Sequence, residues 1–179
     1  MAKLNLNVDM PKLITQCLSD VQIKLSEEFD RNFERQAFFS EKWKRRRYDP
    51  PGSEQRGILT KSSDLRKSIL SKVEGRKLIF TSSMPYSKIH NEGGAITVTQ
   101  RMKGYFLHKY KEEKKRMKGK EMTEEGAFYR AMALKRRGSK IQIPRRMFIG
   151  KSPEVEKIIR EVAEECLEEY FNNVQFTLK

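Results

Sequence analysis

What this chain is short of narrows its function first. No uncharged apolar run approaches the roughly 18 residues that a membrane helix needs, so no membrane partner is expected. Near the start, Lys3 is followed by Asn, Asp and Pro rather than by an apolar stretch. No secretion signal is therefore expected, and the chain is expected to be made and used in a cytoplasm. Histidine and cysteine occur twice each, as His90, His108, Cys17 and Cys166, at spacings that do not make a zinc site. No metal or other cofactor is expected. Both cysteines fall on apolar faces of predicted helices and read as buried free thiols, since a reducing compartment disfavours a disulfide. No glycine-rich phosphate loop, paired-carboxylate motif or nucleophile elbow is present. Leu, Ile, Val and Phe together number 42 of 179 residues, little above the content of disordered chains. A modest core with partner-dependent segments is expected. The length suits one domain, 1–179, that folds without a metal or disulfide.

What the chain has in excess is positive charge, and it is unevenly placed. The net charge is +14, yet residues 1–39 carry −1, residues 40–150 carry +18 and residues 151–179 carry −3. A cationic block between two weakly acidic ends attracts polyanions, whether nucleic acid or an acidic protein face.

Leu13, Cys17, Val21, Leu25, Phe29, Phe33 and Ala37 recur every four residues and predict one long helix over about 10–38. Asp9 before Met10-Pro11 supplies its N-cap. Breakers at Ser40, Pro50-Pro51-Gly52-Ser53 and Gly57 make 40–57 a loop. That loop holds Lys42, Trp43, Lys44, Arg45, Arg46, Arg47 and Tyr48. Five cations flanked by aromatics could follow a phosphate backbone with stacking. The plainer reading, which we favour, is a solvated loop with Trp43 anchored in the core.

A short helix is expected over Ser62–Leu70, with Leu65, Ile69 and Leu70 inward, then a hairpin turning at Glu74-Gly75-Arg76. Pro85 opens a helical turn carrying Tyr86, Ile89 and His90, and Gly93-Gly94 ends it. Ile96–Thr99 is a strand. The charged stretch 103–122 reads as a frayed helix or a disordered loop. Thr123 caps a helix with Phe128, Ala131 and Met132 inward, stopped by Gly138. Ser139–Pro144 alternates as a strand, and Ser152-Pro153-Glu154 starts a final helix with a wide apolar face from Val155 to Phe171.

The best candidate for catalysis is His90 with Glu92, but two residues apart they share no helical face, and no nucleophile stands beside them in sequence. His90 therefore reads as structural or interfacial. The Arg145-Arg146 pair suits a phosphate or a partner's carboxylate equally well.

Three blocks stand in a telling order: Ile58-Leu59-Thr60 through Leu65 to Ser68-Ile69, Pro85-Tyr86 through His90 to Gly93-Gly94, and Ile143-Pro144-Arg145-Arg146-Met147-Phe148. With an amphipathic helix and Trp43 before them and a helix after, they resemble the phage virion morphogenesis family, the Mu-type tail completion proteins, over roughly 10–170. The resemblance implies an α+β fold, a small antiparallel sheet packed against a long N-terminal and a C-terminal helix, with a basic loop or insertion at about 101–138. It implies a non-enzymatic structural protein of a phage or prophage that completes the tail or joins it to the head as a ring or adaptor subunit. Its implied partners are copies of itself, tail, connector or portal proteins, and DNA in the channel. Its implied places are the bacterial host cytoplasm during assembly and the virion neck or tail. Trp43, Leu65, Tyr86, His90, Gly93, Pro144, Arg145 and Phe148 are the implied assembly residues. Lys42, Lys44–Arg47 and Arg146 would meet the partner. The alternative reading is a sequence-tolerant nucleic-acid-binding protein.

Overall fold

The computed structural model describes residues 9–46, 56–117 and 121–172. Helix α1 runs from Met10 to Arg35. The Asp9 carboxylate accepts the Lys12 N–H at 3.1 Å, and Pro11 lies in the first turn, where its missing N–H costs nothing. The helix stops three residues earlier than its four-residue stripe suggests. Gln36 turns left-handed (φ 55°, ψ 39°), its N–H reaching back to the Asn32 carbonyl. Ala37–Phe38 then form β1, which pairs with β2 (Glu41–Lys42) across a tight turn in which Phe39 also has positive φ. Ala37 is buried as the stripe requires, but by the reversal of the chain rather than by continuation of the helix.

Helix α2 is short, Asp64–Lys67, and strand β3 (Ile69–Glu74) begins before the expected helix end. Leu65 is buried, but Leu70 stands 64% exposed, because strand alternation turns it away from Ile69. Strand β4 (Lys77–Ser82) pairs with β3 from Ile69↔Ser82 to Glu74↔Lys77, leaving the two-residue turn Gly75-Arg76. Gly75 (φ 58°) takes the first turn position, as two-residue hairpins favour. The hairpin lies on α1: Gln22 donates to the Ser71 carbonyl and hydroxyl at 3.0 and 2.9 Å, and Phe80 meets Phe29 edge-on. Arg66 ties α2 to α1 through Asp30 and Glu34.

Helix α3 spans Ser87–Glu92 and strand β5 Gly94–Thr97. Strand β5 pairs antiparallel with β6 (Lys140–Ile143), from Gly94↔Ile143 to Thr97↔Lys140. Between them lies a helical arm, α4 (Gln100–Met117) and α5 (Glu124–Leu134). The stretch read as a frayed helix or a disordered loop is thus ordered helix as far as Met117. Phe106 meets Phe128 and Tyr129 across the arm, with ring centroids 5.9 and 6.3 Å apart. The buried Glu113 carboxylate accepts from Arg116 and from Thr123 Oγ1, and these two bonds hold its carboxyl below the usual carboxylate range. Thr123 in turn caps α5 through the Gly126 N–H.

Helix α6 (Pro153–Asn172) runs antiparallel to α1. Val21, Leu25, Phe29, Phe38 and Val155 form one core cluster, flanked by Ile158 and Val162. Phe33, Trp43, Leu65 and Phe148 form the second. Each such side chain contributes about 1.5–3 kcal/mol by leaving water. Cys17 and Cys166 are not free thiols: they form a disulfide between α1 and α6, with Cα atoms 5.7 Å apart. The antiparallel pairing of the two helices brings together positions 149 residues apart, which no local pattern reveals. The architecture is α+β, with the strands in three two-stranded antiparallel ribbons. No helix among the described residues is long and apolar enough to cross a membrane.

Candidate functional site

Residues 144–149 form a strap outside any helix or ribbon, with a bend at Phe148 and Ile149. Buried backbone groups need partners, and here side chains supply them. The Asn91 Oδ1 accepts from the N–H groups of Phe148 and Ile149 at 2.9 and 3.2 Å, while its amide donates to the Ile149 carbonyl. Asn32, fully buried on α1, donates to the Phe148 carbonyl at 3.0 Å and accepts from the Phe39 N–H. The Trp43 indole N–H donates to the Met147 carbonyl at 2.7 Å. The Arg146 N–H reaches the His90 carbonyl at 2.8 Å, and its Nε donates to the Lys44 carbonyl. Gly93 (φ 76°) is needed where α3 ends: a Cβ there would lie 2.9 Å from the Arg145 nitrogen.

The three sequence blocks therefore meet. Phe148 is fully buried against Phe33 and shares a cluster with Trp43 and Leu65. Beside them opens a cleft of about 310 Å³. It is lined by the apolar Ile58, Leu59 and Leu65, the rings of Tyr86 and His90, and the cations Arg46, Lys61 and Arg146. Tyr86 stands 40% exposed, edge-on to His90 with centroids 6.0 Å apart. Pro144 is half-buried and Arg145 is exposed. Arg146 is itself buried rather than displayed. Lys42, Lys44 and Arg45 are exposed, whereas Arg46 donates to the Gly57 carbonyl; Arg47 and Tyr48 lie outside the described residues. Trp43 is turned inward, so its ring is not available to stack on a base.

Burial first, then the nearby Arg146 charge, pushes the His90 pKa below its ordinary 6.5, and its Nδ1 is buried without a hydrogen-bond partner among the described residues. Arg146 is likewise pushed down by burial and by Arg46. His90 thus stays neutral in the fold at neutral pH. Below about pH 6.5 the unfolded chain takes up a proton that the folded chain resists, so stability falls as pH drops. Denaturant titrations at pH 7.5 and 5.5 should show a steeper loss for the wild type than for His90→Gln. Equal losses would refute this account.

Asn32 and Asn91 were not singled out from sequence. Asn91 sat inside the His-Asn-Glu-Gly-Gly block in the shadow of His90, and Asn32 was the one polar residue beside Phe33 on the helix's inner side. No group of three or more His, Cys, Asp or Glu side chains among the described residues gathers where it could hold a metal ion. The cleft offers apolar surface, the rings of Tyr86 and His90, and cations.

The model of the phage virion morphogenesis family matches residues 12–168, from the first turn of α1 almost to the end of α6. The chain belongs to that family. No curated protein and no solved structure matches it. Members of the phage virion morphogenesis family serve in phage structure and assembly.

Proposed function

We propose that this protein completes the phage tail or joins it to the head, acting as a ring or adaptor subunit rather than as an enzyme. Membership of the family carries the assembly role. The subunit role rests on one observation. Each described strand pairs along a single edge, so the other edge of each has no strand partner among the described residues. A lone two-stranded ribbon is marginally stable in water, and strand addition across subunits is a common way to use such edges. The cleft at Tyr86 and His90 and the exposed cations Lys42, Lys44 and Arg45 suit an acidic portal, connector or tail surface.

Deleting the coding sequence from the phage should leave heads and tails unjoined or tails unfinished in electron micrographs, with normal particles restored by the protein supplied in trans. Intact infectious particles made without it would end this reading. A second reading, DNA contact, draws on the +18 charge of residues 40–150. Affinity for duplex DNA that falls steeply with salt and is lost on neutralising Lys42, Lys44 and Arg45 would favour it.

A further inference from the structure

The α4–α5 arm is strongly basic, with fourteen cationic and five acidic side chains over residues 100–140. Its two helices pack chiefly on each other. On its outer surface Leu107 (45% exposed) stands one turn before Lys111, followed by Lys114 and Lys115. These lysines make no ion pair among the described residues, whereas Lys109 and Arg116 are paired to Glu112 and Glu113.

Helix α6 presents the opposite pattern. It carries seven acidic and two basic side chains. Its inward face is spent on α1, but Ile159, Leu167 and Phe171 remain 40%, 41% and 52% exposed. With Ala163 they sit four residues apart and form one ridge. Glu156, Glu164 and Glu168 are exposed along this ridge and make no ion pair among the described residues. The ridge is about 18 Å long at 1.5 Å per residue, and the outer surface of the arm from Leu107 to Lys115 is about 12 Å. Helix α6 thus offers an apolar ridge beside a row of carboxylates, Glu156, Glu164 and Glu168, interrupted by Arg160, and the arm offers the lysines Lys111, Lys114 and Lys115 beside the exposed Leu107.

We propose that the arm of one subunit docks on the acid-rimmed α6 ridge of a second copy of this chain. This rests on the subunit reading above and names the surface that would serve it. The two patches differ, so the contact is head-to-tail, and repetition of such a contact closes into a ring when its rotation allows. Charge opposition steers the encounter and fixes the register, while Leu107 and the α6 ridge leave water. The contact weakens as salt rises, because its ion pairs lie at the rim.

The test uses the full-length protein and two charge-reversed variants. One is Lys111→Glu/Lys114→Glu/Lys115→Glu, the other Glu156→Lys/Glu164→Lys/Glu168→Lys. Since these six residues make no ion pair among the described residues, circular dichroism and melting temperature should stay near wild type, confirming that both variants fold. In light scattering at about 150 mM salt, the wild type should be oligomeric and each variant alone monomeric. Mixed in equal amounts, the two variants should reassemble, with native mass spectrometry showing both chains in equal numbers. Carbodiimide coupling of mixed light and heavy-isotope wild type should join Lys111–Lys115 to Glu156–Glu168 between subunits. A variant that keeps the wild-type mass overturns the proposal while leaving the ring reading standing on another surface. A wild type that is monomeric at every concentration overturns both. Reversal of the arm that abolishes only DNA binding makes the arm a nucleic-acid contact and overturns the proposal as well.

Discussion

Reducing the Cys17–Cys166 bond is expected to lower the stability of the folded chain by up to about 5 kcal/mol, the loop-entropy value for a closure of this size. The bond links positions 149 residues apart, so it encloses nearly the whole chain and removes many open conformations from the unfolded state. It also sits at one end of the α1–α6 pair, beyond the cluster of Val21, Leu25, Phe29 and Val155. Reduction therefore leaves the native packing in place and acts chiefly through the unfolded chain. For a domain of this length the loss corresponds to roughly 10–20 °C in melting temperature. Thermal and denaturant unfolding with and without reductant measure it, and Cys17→Ser/Cys166→Ser should reproduce the reduced value. Thiol titration of native protein, purified without reductant, should find no reactive thiol. Two titratable thiols with no response to reductant would remove the bond from the account.

The disulfide marks where sequence reasoning reached its limit. Local signals were read correctly: the Asp9 cap, the stripe from Leu13 to Phe33, the Gly75 turn and the Thr123 cap each depend on neighbours within a few residues. Features set by distant contacts were missed. The register of α6 on α1 decides whether Cys17 meets Cys166, and no periodicity encodes it. The end of α1 at Gln36 is fixed partly by that residue's side chain, which bonds the Ile58 backbone across the loop. The sequence leaves α4 undecided between helix and loop because its inner side includes Glu113, whose burial makes sense only once Thr123 and Arg116 are beside it. The candidate site was half legible. Tyr86, His90 and the Pro144–Phe148 block stood out as separate motifs, and Trp43 was correctly read as an anchor. The two asparagines joining them were not found, because asparagine in a sequence signals a turn or a cap, not a clamp on a distant backbone.

The same clamp gives the second large expectation. Phe148→Ala should destabilise the protein by about 3–5 kcal/mol, the usual cost of removing a buried phenylalanine. Phe148 is fully buried against Phe33, and its own N–H and carbonyl are held by Asn91 and Asn32. Asn32→Leu should approach that loss by a different route. Leucine is similar in size, but it leaves the Phe148 carbonyl and the Phe39 N–H without the partners they have now. Each buried group left unsatisfied costs about 1–3 kcal/mol. The double variant separates packing from hydrogen bonding. If the strap is one cooperative unit, Asn32→Leu should cost much less in the Phe148→Ala background than alone, because the collapsed strap no longer presents the carbonyl to Asn32. Strictly additive losses would mean that Phe148 and Asn32 act independently. The strap also carries the Arg146 side of the cleft. Both single variants should therefore also impair particle assembly at temperatures where the protein remains folded, and unimpaired assembly there would separate the cleft from the assembly role.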